Sequence, residues 1–456
     1  MLTYELKKLP GVPLYEGLYR CIREDILSGK LPCGEKLPSK RALAANLEVS
    51  KITVETAYNQ LLAEGYIRSR EKIGYFAEAV ERISRPPETE TPPPQMPESD
   101  IDLVNNAPAH FPFSVWSRLQ RQVMLDLGEQ LLQPLPNQGL WDLRQAIAEN
   151  LAQFRGMRVS PDCILVGAGT DFLYNLLIQL LGREKCYAVE EPGYGKIRKI
   201  YAAGGVRCIS APMDSHGVMP HALDNAQVLH ISPSHHFPTG RITPLSRRQE
   251  LLRWANAAPD RWIIEDDYDS EFRFNAHPMA AMQSMDAFGR VIYMNTFSKT
   301  LTPSIRISYM VLPRPMMAEF QQKLGFYSCT VPSFEQYTLT RFLREGHFEK
   351  HINRLRKLYK ARRNRVLSAI ASCPLANRLT ILEENAGLHF LLRVDTDLSD
   401  AQLVERCRSA GIRIRSLGSY CHDASPGENT HLLVVNYSGL DEEALLRLET
   451  VLKAGL

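Results

Sequence analysis

The chain has no CxxC pair; its nine cysteines, Cys21, Cys33, Cys163, Cys186, Cys208, Cys329, Cys373, Cys407 and Cys421, are scattered singly over 456 residues. An odd, unpatterned set excludes a disulfide scaffold and a zinc ribbon, and no apolar leader opens the sequence, so a reducing cytoplasmic setting is expected. No apolar run reaches the length of a membrane span, and no membrane partner is expected. Charge of one sign is also missing: 54 Lys and Arg stand against 51 Asp and Glu, a formal net charge of +3. That excludes a histone-like or polybasic protein while leaving room for one locally basic module. No fixed-period repeat is present, which excludes a solenoid. With 27 glycines and 29 prolines, neither a collagen-like repeat nor wholesale disorder fits. What remains is an ordinary globular composition, 44% hydrophobic and 23% charged, long enough for two or three structural units around a large core.

Residues 86–97 read PPETETPPPQMP, with six prolines in twelve positions. Proline removes backbone donors and favours extended chain, and the polar residues between offer nothing to pack. A long surface loop within one domain is the plain alternative, but a tether fits better, because structureless loops of that length are uncommon in compact domains. The expected organisation is a small domain over residues 1–80, a Pro-rich linker over 81–100 and a large domain over 101–456.

In the small domain, Leu14, Leu18, Ile22 and Ile26 recur at the one-sided spacing of a helix. Ser39 can cap a second short helix through Leu47, and Ser50 a third that carries Val54, Ala57, Tyr58, Leu61 and Leu62 before Gly65. YIRSREKIGYF then reads as two short strands around a basic turn, which makes a winged helix-turn-helix. Lys51 and Thr53 open the recognition helix, where side chains face a major groove, and Arg41 stands early in the preceding helix, suited to a phosphate. Arg68, Arg70 and Lys72 decorate the hairpin, where a wing follows the backbone or enters the minor groove. The competing reading is a helical interaction domain with ordinary solvated charge; residues 1–80 hold 12 basic against 10 acidic side chains, so charge alone does not decide. The stretches LPSKRALAANLEVSKITVETAY and LLAEGYI resemble the DNA-binding domain of GntR-type bacterial regulators. The resemblance implies double-stranded operator DNA as the partner, with Arg41 on the backbone, Lys51 and Thr53 at the start of the recognition helix and Gly74 in the wing. Lys51 replaces the family's usual arginine, exchanging a rigid bidentate fork for a point charge.

The large domain alternates helical stretches with short apolar runs: CILV at 163–166, CYAV at 186–189, VLHI at 228–231, WIIE at 262–265 and VIYM at 291–294. Such runs point to an α/β fold with a buried, mostly parallel sheet, whose ligands bind beyond the strand ends. Three strand ends carry chemistry. WIIE leads into Asp266, Asp267, Tyr268, Asp269 and Glu271, a carboxylate cluster open to a metal, a base or a plain polar loop. VIYM leads into NTFSKTLTPSIR, where Lys299 precedes Arg306 by seven residues; an amine that attacks a carbonyl beside an anion site and an ordinary exposed lysine fit equally. CILV leads into GAGTD before a helical run, a weak phosphate-cradle signal.

In chain order these pieces resemble the large domain of fold-type I pyridoxal-phosphate enzymes, the aspartate aminotransferase fold, over residues 101–456. The resemblance implies pyridoxal 5'-phosphate as cofactor, held by Lys299 as the internal aldimine. It also implies Arg306 and the turn Gly169–Thr170 on the phosphate, Asp266 on the pyridine nitrogen, Tyr268 near the 3-hydroxyl and Tyr194 over the ring. For Tyr194 a place in a helix core is the alternative. The fusion of both halves resembles the MocR group of GntR-type regulators, to which the GabR and PdxR regulators belong, and SPSHHFPTG resembles that group's PSHxxPTG stretch. This implies a homodimeric regulator answering to pyridoxal phosphate or to its combination with a small amine or amino acid. His235 or His236 assists at the ring edge, or is simply a buried hydrogen-bonded histidine. The alternative is an aminotransferase with an accessory DNA-binding domain. Aligning HLLVVNYSGL with the family's last strand puts Val434 where an arginine normally takes the substrate carboxylate, with no replacement beside it in sequence. Weak or absent transamination is therefore expected, unless Arg413, Arg415 or Arg273 approaches from elsewhere. Residues 341–365 hold ten basic and two acidic side chains, and read either as a second DNA surface or as the long helix after the large domain, with Leu355, Tyr359 and Val366 inward.

Overall fold

The computed structural model describes residues 2–4, 6, 13–79, 101–104, 110–272, 279–384, 387–423 and 430–454. The Pro-rich segment and Arg273 lie outside the described residues. The chain divides into two compact units, Met1–Met96 and Pro97–Leu456.

The first unit is a winged helix-turn-helix of α1 (Leu14–Leu27), α2 (Lys40–Asn46), α3 (Lys51–Ala63) and the antiparallel ribbon β1 (Ile67–Arg70) with β2 (Gly74–Ala77). Both later helices start where a serine satisfies an orphan amide: Ser39 accepts from Ala42 N at 3.2 Å, and Ser50 from Thr53 N at 3.1 Å. Leu18, Ile22, Leu43, Val54, Ala57, Tyr58 and Leu61 form one core, and the Tyr58 hydroxyl donates to the Pro38 carbonyl at 2.9 Å.

In the second unit the main strands are β3 (Ile164–Gly167), β4 (Cys186–Glu191), β5 (Arg207–Asp214), β6 (Gly217–Val218), β7 (Val228–Ile231), β8 (Trp262–Asp266), β9 (Val291–Thr296) and β10 (Ser308–Val311). They form one sheet in the order β3-β10-β9-β8-β7-β4-β5-β6. The run from β9 to β5 is parallel, and β10 is antiparallel to both neighbours. All five apolar runs are strands here, buried on both faces as a helix-covered parallel sheet requires. A smaller antiparallel sheet, unsuspected from the sequence, has the order β11 (Leu379–Leu382), β12 (His389–Val394), β14 (Leu432–Asn436), β13 (Arg415–Ser416).

The basic segment 341–365 is not one helix. Gly346 takes a left-handed φ of 71° and separates Ser333–Arg344 from His347–Ser372. Leu355, Tyr359 and Val366 are buried inward. Its cations are largely engaged within the fold: Arg341 with Asp126 at 2.7 Å, Arg365 with Glu449 at 2.9 Å, Arg356 on the Glu271 carbonyl at 2.6 Å and Arg363 on the Glu384 carbonyl at 3.0 Å. They fasten a core helix, while Lys350, Arg354, Lys357 and Lys360 stay exposed on it. Among the described residues no helix is long and apolar enough to cross a membrane.

Removing the α2 cap tests the small unit. Ser39→Ala is expected to cost about 1 kcal/mol, read in the full chain as faster amide hydrogen exchange in α2 with wild-type exchange in the large unit. Unchanged α2 exchange would contradict the capping role.

Candidate functional site

Six of the sequence-predicted cofactor residues, Thr170, Tyr194, Asp266, Tyr268, Lys299 and Arg306, line one cavity of about 1090 Å³ in the second unit. Parallel strand ends build it: β8 ends at Asp266, β9 delivers Thr296 and the turn to Lys299, and β3 leads through Gly169 into the helix Thr170–Leu181.

Asp266 is 6% exposed, and only one of its oxygens is satisfied. Oδ2 accepts from the Tyr174 hydroxyl at 2.5 Å and lies 3.5 Å from His230 Nε2, whose Nδ1 meets the Tyr201 hydroxyl at 2.7 Å. Oδ1 is buried with no hydrogen-bond partner among the described residues. Leaving such an acceptor dry costs about 1–3 kcal/mol, so the site is shaped to receive a donor.

Lys299 faces the same cavity. Burial pulls its amine below the ordinary lysine range, against the opposing pull of Asp269 and Asp266. That favours the neutral, nucleophilic form. Gly169 has φ 88°, and a Cβ there would stand 2.1 Å from Arg306 Nη2. Only glycine lets the guanidinium close on the helix N-terminus, where Nη2 donates to the Ala168 carbonyl at 3.3 Å. Arg306 itself sits at φ 51° after the turn Pro303–Ile305. An anion is thus offered a guanidinium and free helix amides together.

Three more carboxylates follow Asp266, and Asn295 links two of them, Asp267 through the Tyr293 hydroxyl and Glu271 directly. Asp267 is held by Arg155 at 2.9 Å, Tyr293 at 2.6 Å and Ser270 at 2.8 Å. Asp269 takes His235 Nδ1 at 2.8 Å, and Glu271 lies 3.5 Å from Asn295 Nδ2. Among the described residues, no group of His, Cys, Asp or Glu is arranged to hold a metal.

His235 stands behind Tyr268, whose hydroxyl is 3.2 Å from Nδ1. His236 bonds Thr239 at 2.7 Å, and burial pushes its pKa down to about 3. Both histidines are buried and bonded within the protein, and Phe237 rather than either of them lines the cavity. Tyr194 is half exposed at the start of the helix Gly195–Ala203, edge-on to Phe237 at 5.8 Å, and so lies outside any helix core.

The small sheet supplies the cavity's remaining wall. His389 pairs with Asn436, Leu391 with Val434, and Arg415 with Val434, so these side chains share one face. Phe390, Leu392, Leu433 and Val435 point to the opposite core. His389, Asn436, Arg415 and Tyr420 line the cavity. Val434 is buried, as an apolar residue in that slot should be, and one of the arginines that the sequence left open as approaching from elsewhere stands beside it. Arg415 is its cross-strand neighbour, an adjacency set by strand register and invisible in linear sequence. Arg413 is engaged elsewhere, 3.4 Å from Asp102.

On the first unit Arg41, Lys51, Arg68, Arg70 and Lys72 are exposed, on α2, α3 and the ribbon. Arg68 pairs with Glu78 at 2.8 Å, and Arg70 lies over the Phe76 ring at 5.1 Å. Gly74 has φ 131° in the ribbon. Thr53 is half-buried, its hydroxyl 2.8 Å from that of Ser50, so it serves the cap before any groove. Ile52 was overlooked: it is 74% exposed on the first turn of α3. An apolar residue off the buried 54-57-58-61 stripe was the available signal. Tyr174, which holds Asp266, and His230 beside it carried no such signal.

Residues 14–76 match the model of bacterial regulatory proteins of the gntR family, and residues 98–448 that of aminotransferase class I and II. The chain is 37% identical to the uncharacterized HTH-type transcriptional regulator YdeL of Bacillus subtilis, over 97% of this chain and 96% of that protein. It is 32% identical to the probable rhizopine catabolism regulatory protein MocR of Rhizobium meliloti, over 95% and 92%. Among solved structures, an archaeal alanine:glyoxylate aminotransferase matches with a TM-score of 0.68 at 20% identity, over 78% of this chain and 91% of that one.

Glu190, beside this cavity, gives a pH test. Burial raises its carboxyl to about 8 from the ordinary 4.5. A carboxyl raised on folding binds its proton more tightly in the native state, so its contribution is complete below the unfolded pKa and is lost as pH rises from about 5 to about 8. Thermal unfolding midpoints should fall more steeply over that window in the wild type than in Glu190→Gln. Parallel profiles would refute the assignment.

Proposed function

This chain belongs to the MocR-like, gntR-type transcription regulators whose second domain is an aminotransferase of class I and II, and we propose that its large domain holds pyridoxal 5'-phosphate as a sensor rather than as a working transaminase. GntR-type regulators bind operator DNA, and the aminotransferase fold is typically pyridoxal-phosphate dependent. The observation that carries the proposal is Asp266 Oδ1, a buried carboxylate oxygen without a partner among the described residues, in the same cavity as the depressed amine of Lys299.

Bound there, the cofactor supplies an aldehyde and an electron-withdrawing ring. Asp266 would hold a proton on the pyridine nitrogen through Oδ1, its other oxygen being taken by the Tyr174 hydroxyl. Lys299 would offer its amine to the aldehyde. Arg306, Gly169 and Thr170 bind the phosphate through a guanidinium and helix amides. Tyr268 would orient the ring edge, and Tyr194 with Phe237 would give one face an aromatic wall.

The winged helix reads a two-half-site operator as a homodimer, since one such unit covers only a few base pairs. Arg41, Arg70 and Lys72 serve phosphates, with Arg68 partly spent on Glu78. Lys51 and Ile52 meet base edges, and an exposed isoleucine suits a thymine methyl.

Two measurements test this. Purified protein should bind pyridoxal phosphate, and borohydride treatment followed by peptide mapping should find the pyridoxyl group on Lys299; recovery on another lysine, or no binding, overturns the cofactor reading. In gel-shift titrations Arg41→Glu and Arg70→Glu should weaken binding to all sequences, whereas Ile52→Ala should relax preference at one position by about 1–3 kcal/mol. Equal losses across sequences for Ile52→Ala would remove it from the base contacts.

A further inference from the structure

The helix His347–Ser372 carries eight Lys and Arg against one Glu, and its cations divide by face. At about 3.6 residues per turn, Phe348, Ile352, Leu355, Tyr359 and Val366 fall on one stripe, and all five are buried. Arg356 and Arg363 flank that stripe and end on the backbone carbonyls of Glu271 and Glu384. Arg362 reaches the Ser438 carbonyl, and Arg365 pairs with Glu449. These four hold the helix to the fold. Lys350, Arg354, Lys357 and Lys360 occupy the face opposite the buried stripe, and all four are exposed.

Their charge is left uncompensated. Other exposed cations of the large unit find a carboxylate one turn away, as Lys323 finds Glu319 at 2.6 Å and Arg408 finds Glu405 at 3.1 Å. At the i±3 and i±4 positions of Lys350, Arg354, Lys357 and Lys360 stand only Gly, His, Asn, Leu, Ala and further cations. None of the four has a carboxylate partner among the described residues. Like charges at those spacings destabilise a helix, so the stripe is a standing cost within the fold. From Lys350 to Lys360 it runs about 15 Å along the helix axis. A polyanion outside the fold can relieve that repulsion, and duplex DNA offers a phosphate about every 1.7 Å of its own axis.

We infer that this helix face is a second contact for the phosphates of the DNA that the winged helix holds. The inference rests on the operator reading, and tethering is what selects DNA over other polyanions. Duplex bound by the small unit is presented to the large unit of the same chain at an effective concentration of about millimolar, where phosphate contacts too weak to act alone become occupied. Each contact releases counterions and carries no base information. The face therefore adds affinity and length of duplex engaged, while preference stays with the recognition helix.

The test uses the full chain and an operator that it selects from a random-sequence duplex pool, made at minimal length and with about 20 bp, roughly two helical turns, added on each side. Gel-shift affinities are measured from about 50 to 200 mM salt. The long duplex should bind the wild type about tenfold more tightly than the short one. Lys350→Gln, Arg354→Gln, Lys357→Gln and Lys360→Gln combined should remove that gain, keep short-duplex affinity within about twofold, and lower the salt slope on long DNA by about 3–4. Arg158→Gln, Arg207→Gln, Arg253→Gln and Arg393→Gln combined, exposed on other parts of the same unit, make the same change in net charge and should retain both gain and slope. No gain with length in the wild type, a gain that survives the first set, or an equal loss with the second set overturns the inference. Equal losses on short and long duplexes overturn it too, as does binding to phosphatidylserine vesicles through these cations with DNA affinity unmoved. If no sequence is selected, yet any long duplex binds through the four cations, the operator reading fails and the surface stands, so the two failures are distinguishable.

Discussion

A single buried carboxylate organises the large domain. Asp266 ends a central strand of a parallel sheet, where water is excluded and a charge is expensive. The fold answers with the Tyr174 hydroxyl, which donates to Oδ2 from the helix after β3, while His230 on the neighbouring strand β7 lies 3.5 Å from the same oxygen and is fixed by Tyr201. The other oxygen has no partner among the described residues. The remaining site follows from that geometry. Lys299, one turn beyond the adjacent strand β9, faces the same space, and Gly169 with Arg306 closes the anion end. A parallel sheet brings such groups together because its strand ends all open on one side.

The opposite wall obeys a different rule. In the small antiparallel sheet, alternation sends every second residue toward the cavity and pairing register decides which cross-strand neighbours meet. Val434 takes the slot that an arginine fills in the resembling enzymes, and its register partner Arg415 returns a cation to the same face.

The small domain is economical by comparison. Two serine caps set where α2 and α3 begin, and a single core fed by all three helices and the ribbon sets their mutual angle. Outside that core, Arg41, Lys51, Ile52, Arg70 and Lys72 are left exposed. Ser50 and Thr53 show how stability and recognition compete for the same atoms: the hydroxyl that a groove would use lies against the cap.

Local chemistry was legible in the sequence. Periodicity located the winged helix, since its helices are short, capped and stabilised by near neighbours in the chain, and apolar runs located five strands of the parallel sheet, because burial on both faces leaves an unmistakable composition. Lys299, Asp266, Arg306, Gly169 and Thr170 were nameable because each immediately follows such a strand or turn. Other features had no local signature. The second sheet, the placing of Tyr174 and His230 beside Asp266 and the adjacency of Arg415 to Val434 all join separate segments of the chain. Composition along one segment reports what that segment buries. Which distant residue stands opposite is a matter of strand register and packing, and only the tertiary structure decides it.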